Sequence, residues 1–98
     1  MYESKLESKE LTDLFEAMLS LKDTEECYMF FEDLCTVSEL SAIGQRFKVA
    51  RMLDDKTTGH AIAEETGAST ATISRVNKCL NYGAGGYKLV LKRMRGEA

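Results

Sequence analysis

No proline interrupts the 98 residues of this chain, and its apolar side chains recur at intervals of three and four rather than two. Proline removes a backbone donor and breaks helices, so without it helices can form wherever the side-chain spacing permits. No segment alternates apolar and polar residues over enough length to make a half-buried strand. The fold class that follows is all-α, with six helices.

The spacing locates each one. Leu11, Leu14, Phe15, Met18 and Leu19 follow the i, i+3, i+4, i+7, i+8 pattern of one helix face, and Leu21 closes that segment. Asp23 or Thr24 caps a second helix carrying Cys27, Phe30, Phe31 and Leu34. Thr36-Val37-Ser38-Glu39 matches a capping box and opens a third helix, with Leu40, Ile43, Phe47, Ala50 and Leu53 on one stripe. Thr57 or Thr58 starts a short helix ending at Gly67, and Ser69 or Thr70 starts another running to about Asn81. After the Gly83-Ala84-Gly85-Gly86 break, residues 87–95 form the last helix, with Leu89, Val90, Leu91 and Met94. A chain this short cannot divide into two independent cores, so residues 1–98 are expected to form a single domain. Its segments are dimerisation helices over 6–55, a helix-turn-helix over 57–81 and a C-terminal helix over 86–95. The first two helices carry more large apolar groups than so small a chain covers by itself. A homodimer whose interface is built largely from the N-terminal helices is therefore expected.

Several functional classes drop out. Apolar residues are 44% and charged residues 30%, a globular balance, and no apolar run approaches the ~20 residues of a bilayer span. Met1-Tyr2-Glu3-Ser4-Lys5 leads into a charged amphipathic stretch rather than a signal peptide, so a cytoplasmic location is expected. The three cysteines, Cys27, Cys35 and Cys79, are odd in number and not spaced as C-x-x-C, and His60 is the only histidine. Neither a disulfide framework nor a zinc site has enough ligands, and free, mostly buried thiols are expected. His60 has no nucleophile or orienting carboxylate at motif spacing, so no catalytic residue, metal or cofactor is assigned and the chain is not expected to be an enzyme.

Charge is distributed unevenly. The net value is −3, yet residues 1–43 hold three basic residues against eleven acidic ones, and residues 44–98 hold ten against five. Between 66 and 95 lie Arg75, Lys78, Lys88, Lys92, Arg93 and Arg95 and no acid at all. Such a stretch carries a local positive potential that phosphate binding requires whatever the net charge, and it points to double-stranded DNA as partner.

The most specific local signal lies between Gly59 and Lys78. Two helices crossing steeply through a short turn need a small residue where they touch, a residue tolerating positive φ in the turn, and apolar positions facing inward. Ala63, Gly67 and the set Ile62, Ala68, Ile73 and Val76 meet these needs. The second helix then presents Ser69, Thr70, Ala71, Thr72, Ser74, Arg75, Asn77 and Lys78 as candidate DNA-binding residues. Small residues at its N-terminal end allow close approach to base edges, while hydroxyls and cations reach phosphates.

The run Gly67-Ala68-Ser69-Thr70-Ala71-Thr72-Ile73-Ser74-Arg75, preceded by Leu34-Cys35-Thr36, Glu39 and Ala42-Ile43-Gly44-Gln45-Arg46, resembles the tryptophan repressor superfamily, and within it the Trp-repressor-related YerC/YecD branch. The resemblance covers about residues 10–95. It implies an intertwined all-helical dimer that acts as a repressor on palindromic operator DNA, with an amino acid as possible corepressor. It also implies an effector pocket: Arg46 and Arg75 would flank the ligand, one pairing with its carboxylate, and Thr36 and Thr72 stand at the pocket threonines. This chain has Cys79 where the tryptophan binder has a serine for the ligand's amino group, and Val76 where it has glycine. The ligand implied is another amino acid such as histidine, or none. The alternatives are a ligand-independent DNA-binding protein and a helical protein-interaction module using Tyr82 and Tyr87, aromatics expected to be exposed beside the glycine-rich hinge.

Overall fold

The computed structural model describes residues 2–97. They form six helices: α1 Lys9–Met18, α2 Thr24–Leu34, α3 Val37–Asp54, α4 Gly59–Thr66, α5 Thr70–Tyr82 and α6 Gly86–Met94. No helix among them is long and apolar enough to cross a membrane. The chain gathers into two compact units, one up to Leu40 and one from Ser41 onward.

The first unit is held by local chemistry. Ser8 caps α1 by accepting the Leu11 amide, and Asp23, rather than Thr24, caps α2 by accepting the Glu26 amide. Phe30 and Phe31 stack edge to face with ring centroids 5.4 Å apart, a geometry favoured by the ring quadrupoles. The α1 periodicity extends one residue too far: the helix stops at Met18, and Leu19, its C-cap, is 84% exposed. No residue of α1 or α2 is buried, and Phe15, Tyr28, Met29 and Leu34 are exposed.

At the start of α3 the capping box is present in full. The Glu39 amide donates to Thr36 Oγ1 at 3.1 Å, and the Thr36 amide donates to Glu39 Oε1 at 2.8 Å. These two bonds satisfy amides that the first turn of a helix leaves without partners.

The second unit holds the core. Val49, Ala50, Ile62, Ala68 and Val76 are buried together, with Met52, Leu53, Ile73 and Tyr87 packed against them. Leu80 and Leu91 are buried as well. The single stripe expected on α3 is corrected by Val49, which lies outside it yet is fully buried, while Ile43, within it, is exposed. Adjacent buried positions on a helix are about 100° apart, so α3 is covered over a wide arc. Tyr87 is half-buried rather than exposed, because α6 turns it inward against the core; Tyr82 is exposed. Of the apolar positions on α6 only Leu91 is buried. An ion pair between Arg95 and Asp54 ties the end of α6 to the end of α3. The thiols also depart from expectation: Cys27 and Cys35 are half-buried and Cys79 is exposed.

The Thr36 amide that donates to it, and after it the nearby Thr36 hydroxyl, hold the Glu39 carboxyl below the usual glutamate range. A folded-state pKa below the unfolded one means that the stabilisation is complete above the ordinary glutamate range and is lost as pH falls through the lowered value. The first turn of α3 should therefore fray on acidification, which the Thr36 amide shift will report in an NMR pH titration. Glu39→Gln keeps an acceptor oxygen and should abolish that titration while leaving the turn formed.

Candidate nucleic-acid interface

α4 and α5 are joined by residues 67–69, and each part of the joint has a local cause. Thr58 caps α4, its hydroxyl accepting the Ala61 amide at 3.2 Å. Gly67 ends the helix in the left-handed region at φ 73°, its amide donating to the Ala63 carbonyl. Any other residue would hold this conformation under strain. Thr66 locks the corner: its hydroxyl donates to the Ile62 carbonyl at 2.7 Å and accepts the Ala68 amide at 3.1 Å. Ala68 then points into the core, and Ser69 starts α5 by accepting the Thr72 amide at 3.1 Å.

The inner and outer faces of α5 are set by which residues the core takes. Val76 and Leu80 are buried and Thr72 and Ile73 half-buried, which fixes the helix's rotation about its axis. At 100° per residue, Lys78, Ala71 and Ser74 fall at the centre of the opposite face, with Thr70, Asn77 and Arg75 on its margins. All six are exposed. Among the candidate DNA-binding residues, Ser69 and Thr72 are in a different position. Ser69 is occupied as the N-cap, and its hydroxyl also donates to Thr72 Oγ1 at 3.1 Å.

Three of the candidate effector residues share a flank. Thr72, Arg75 and Cys79 stand at i, i+3 and i+7 on α5, which places them in one row along the helix. Arg46 is half-buried on α3. Thr36 belongs to the first unit, where the capping box already takes up its hydroxyl and its amide. Cys79 also lines an open cavity of about 510 Å³ with Phe47, Gly83, Ala84, Gly86, Tyr87 and Val90. Gly83 is required there by close approach, because a Cβ would stand 2.3 Å from the Cys79 carbonyl oxygen.

One residue that the local pattern did not single out is Gln45. Its side-chain amide donates to the Thr66 carbonyl across to α4, at 3.1 Å. Nothing in the spacing around position 45 marks it, since its partner lies 21 residues away. Among the described residues, no group of three or more His, Cys, Asp or Glu side chains is placed to hold a metal ion.

Gly67→Ala should cost about 1–2 kcal/mol, the penalty of the left-handed conformation for a residue with a Cβ. The cost is confined to the backbone, because nothing lies within 4 Å of the added methyl. Urea unfolding should show the loss in full for alanine and a smaller one for Gly67→Asn, since asparagine tolerates that region better.

The fold is shared with known proteins. Residues 9–95 match the family described as Trp repressor protein. The uncharacterized protein YerC of Bacillus subtilis (strain 168) is 58% identical over 91 residues, 93% of this chain and 88% of that protein. A crystal structure of a TrpR-like protein from Eubacterium eligens ATCC 27750 superposes with a TM-score of 0.89 at 53% identity, covering 96% of this chain and 97% of that one. A candidate Trp repressor from Staphylococcus aureus gives 0.88 at 48% identity, covering 93% and 91%. On a family match that spans nearly the whole sequence, with a relative 58% identical and solved structures superposing over more than nine-tenths of it, the chain belongs to the Trp repressor family.

Proposed function

We propose that this chain is a sequence-specific DNA-binding transcriptional regulator, a repressor that acts as a homodimer through a helix-turn-helix made of α4 and α5. The observation that carries the reading is the outer face of α5. It is exposed, free of carboxylates, small at Ala71 and Ser74, and cationic at Lys78 and Arg75. A helix slim at its N-terminal end reaches base edges in the major groove, and cations further along meet phosphates. The absence of acids from 66 to 95 leaves no fixed negative charge in that stretch to repel the duplex.

Dimerisation supplies the operator's symmetry. The exposed apolar side chains of α1 and α2 are the surface a second copy would cover. Two α5 helices related by a two-fold axis read a palindrome with half-sites about 34–36 Å apart, or a multiple of that. Light scattering should return twice the chain's mass.

An amino-acid effector would act on the same helix. Arg46 and Arg75 offer guanidinium groups for a carboxylate, with Thr72 and Cys79 as further pocket positions. Such a ligand shifts DNA affinity only by preferring the DNA-competent placement of α5, because equal affinity for both placements shifts nothing. The row Thr72, Arg75, Cys79 adjoins the outer face and shares Arg75 with it, so ligand and duplex would act on neighbouring stripes of one helix. Thermal-shift screening against the twenty amino acids should show stabilisation by one of them; a flat response at millimolar concentrations identifies a ligand-independent binder.

Selection of duplexes from a random pool tests the central reading. A palindromic consensus is expected, and equal affinity for every duplex, or no binding at low salt, rejects it. Lys78→Ala should weaken binding to all sequences alike and reduce the salt slope by about 1, the signature of one lost phosphate contact. Substitutions at Thr70 or Ala71 should instead change which sequence is preferred.

A further inference from the structure

The corner between α4 and α5 is held from inside by Thr66 and from outside by one side chain on another helix. Thr66 uses its hydroxyl twice, towards the Ile62 carbonyl and the Ala68 amide, so its side chain is committed to the turn. Its carbonyl is one of the last four of α4 and has no partner further along the helix, because Gly67 leaves the helical conformation. That carbonyl receives the Gln45 side-chain amide at 3.1 Å in a partly buried position. Because the acceptor is a carbonyl, only the NH₂ end of the Gln45 amide can serve, which fixes its orientation. One helical turn further along α3, Lys48 stands 3.7 Å from Glu65. That pair is more than half exposed on both sides, so it adds little beside the shielded bond.

We infer that Gln45 is a positioning residue for DNA recognition: its hydrogen bond to the Thr66 carbonyl pins the turn ahead of α5 to α3 and so fixes the angle at which α5 meets a duplex. This inference rests on the reading of α5 as the recognition helix. In this role Gln45 acts through the corner and needs no contact with a base or a phosphate. Its effect is on preference, because reading base edges requires a fixed helix angle, whereas phosphate attraction tolerates a loose one. Gln45 also directly precedes Arg46, so a ligand gripping Arg46 would pull on the segment of α3 that holds the corner.

The test uses the full chain with Gln45→Met, which keeps the length and loses the donor, and Gln45→Glu, which sets a carboxylate oxygen against the carbonyl. Two quantities are measured: hydrogen exchange at the Gly67 and Ala68 amides relative to Val76 in the middle of α5, and affinity for the selected duplex relative to a random one. Loss of one hydrogen bond should speed exchange at Gly67 and Ala68 about three- to tenfold, leave Val76 unchanged, and lower the ratio of selected to random affinity by a similar factor. Random-duplex affinity and its salt slope should stay at the wild-type value in Gln45→Met, since no cation is lost and no charge is added, whereas the carboxylate of Gln45→Glu lowers both affinities by repelling phosphate and only its ratio is compared. Gln45→Glu should show the larger change. A purely structural residue would lower both affinities together and leave their ratio intact, and that result overturns the proposal. So does unchanged exchange at Gly67 and Ala68 in a variant of a wild type that selects its duplex. A wild type with no duplex preference overturns the functional reading first, and the proposal with it.

Discussion

Val49 of α3, Ile62 of α4 and Val76 of α5 meet with almost no surface left to water. Each is β-branched, and in a helix such a side chain has essentially one χ1 rotamer. Three stiff groups in one buried cluster leave little freedom in how the three helices cross. Burying each contributes about 1.5–3 kcal/mol, and Ala50 and Ala68 between them let the backbones approach. The rotation of α5 about its own axis follows from Val76 and Leu80 facing inward, and everything the helix offers to solvent follows from that rotation.

The corner before α5 shows how little chemistry is needed to aim a helix. Gly67 supplies a backbone conformation, Thr66 supplies a hydroxyl that serves as donor and acceptor at once, and Ser69 supplies the next cap. None of these groups is charged, so the joint is insensitive to salt while the face it presents carries cations that respond to salt. Position and attraction are assigned to different residues. The acid-rich first half of the chain and the acid-free stretch from 66 to 95 repeat this division at the scale of the whole sequence.

Much of the fold was legible because it is encoded locally. Thr36 caps α3 as its capping box requires, and Asp23, Thr58 and Ser69 each take one of the two places the sequence offered; only Ser8 caps a helix unmarked. The candidate interface was legible for the same reason: spacing along one helix decides which residues share a face. Burial was harder to read. Val49 is fully buried outside the expected stripe, Tyr87 turns inward and Cys79 outward, because each depends on what stands opposite in space. Leu19 follows the periodicity of α1 and still lies beyond its last turn.

Sequence by itself determined the number and order of the helices, the capping box at Thr36, the turn at Gly67, the segregation of charge and the family, since all of these are carried by neighbours along the chain or by the string of residues itself. Only the tertiary structure decided that Thr72 leaves the outer face of α5 to be half-buried, that α3 is covered over a wide arc, and that Gln45 reaches the Thr66 carbonyl. The physical reason is separation: a hydrogen bond spanning 21 residues, or a core contact among three helices, forms between groups that no local pattern relates.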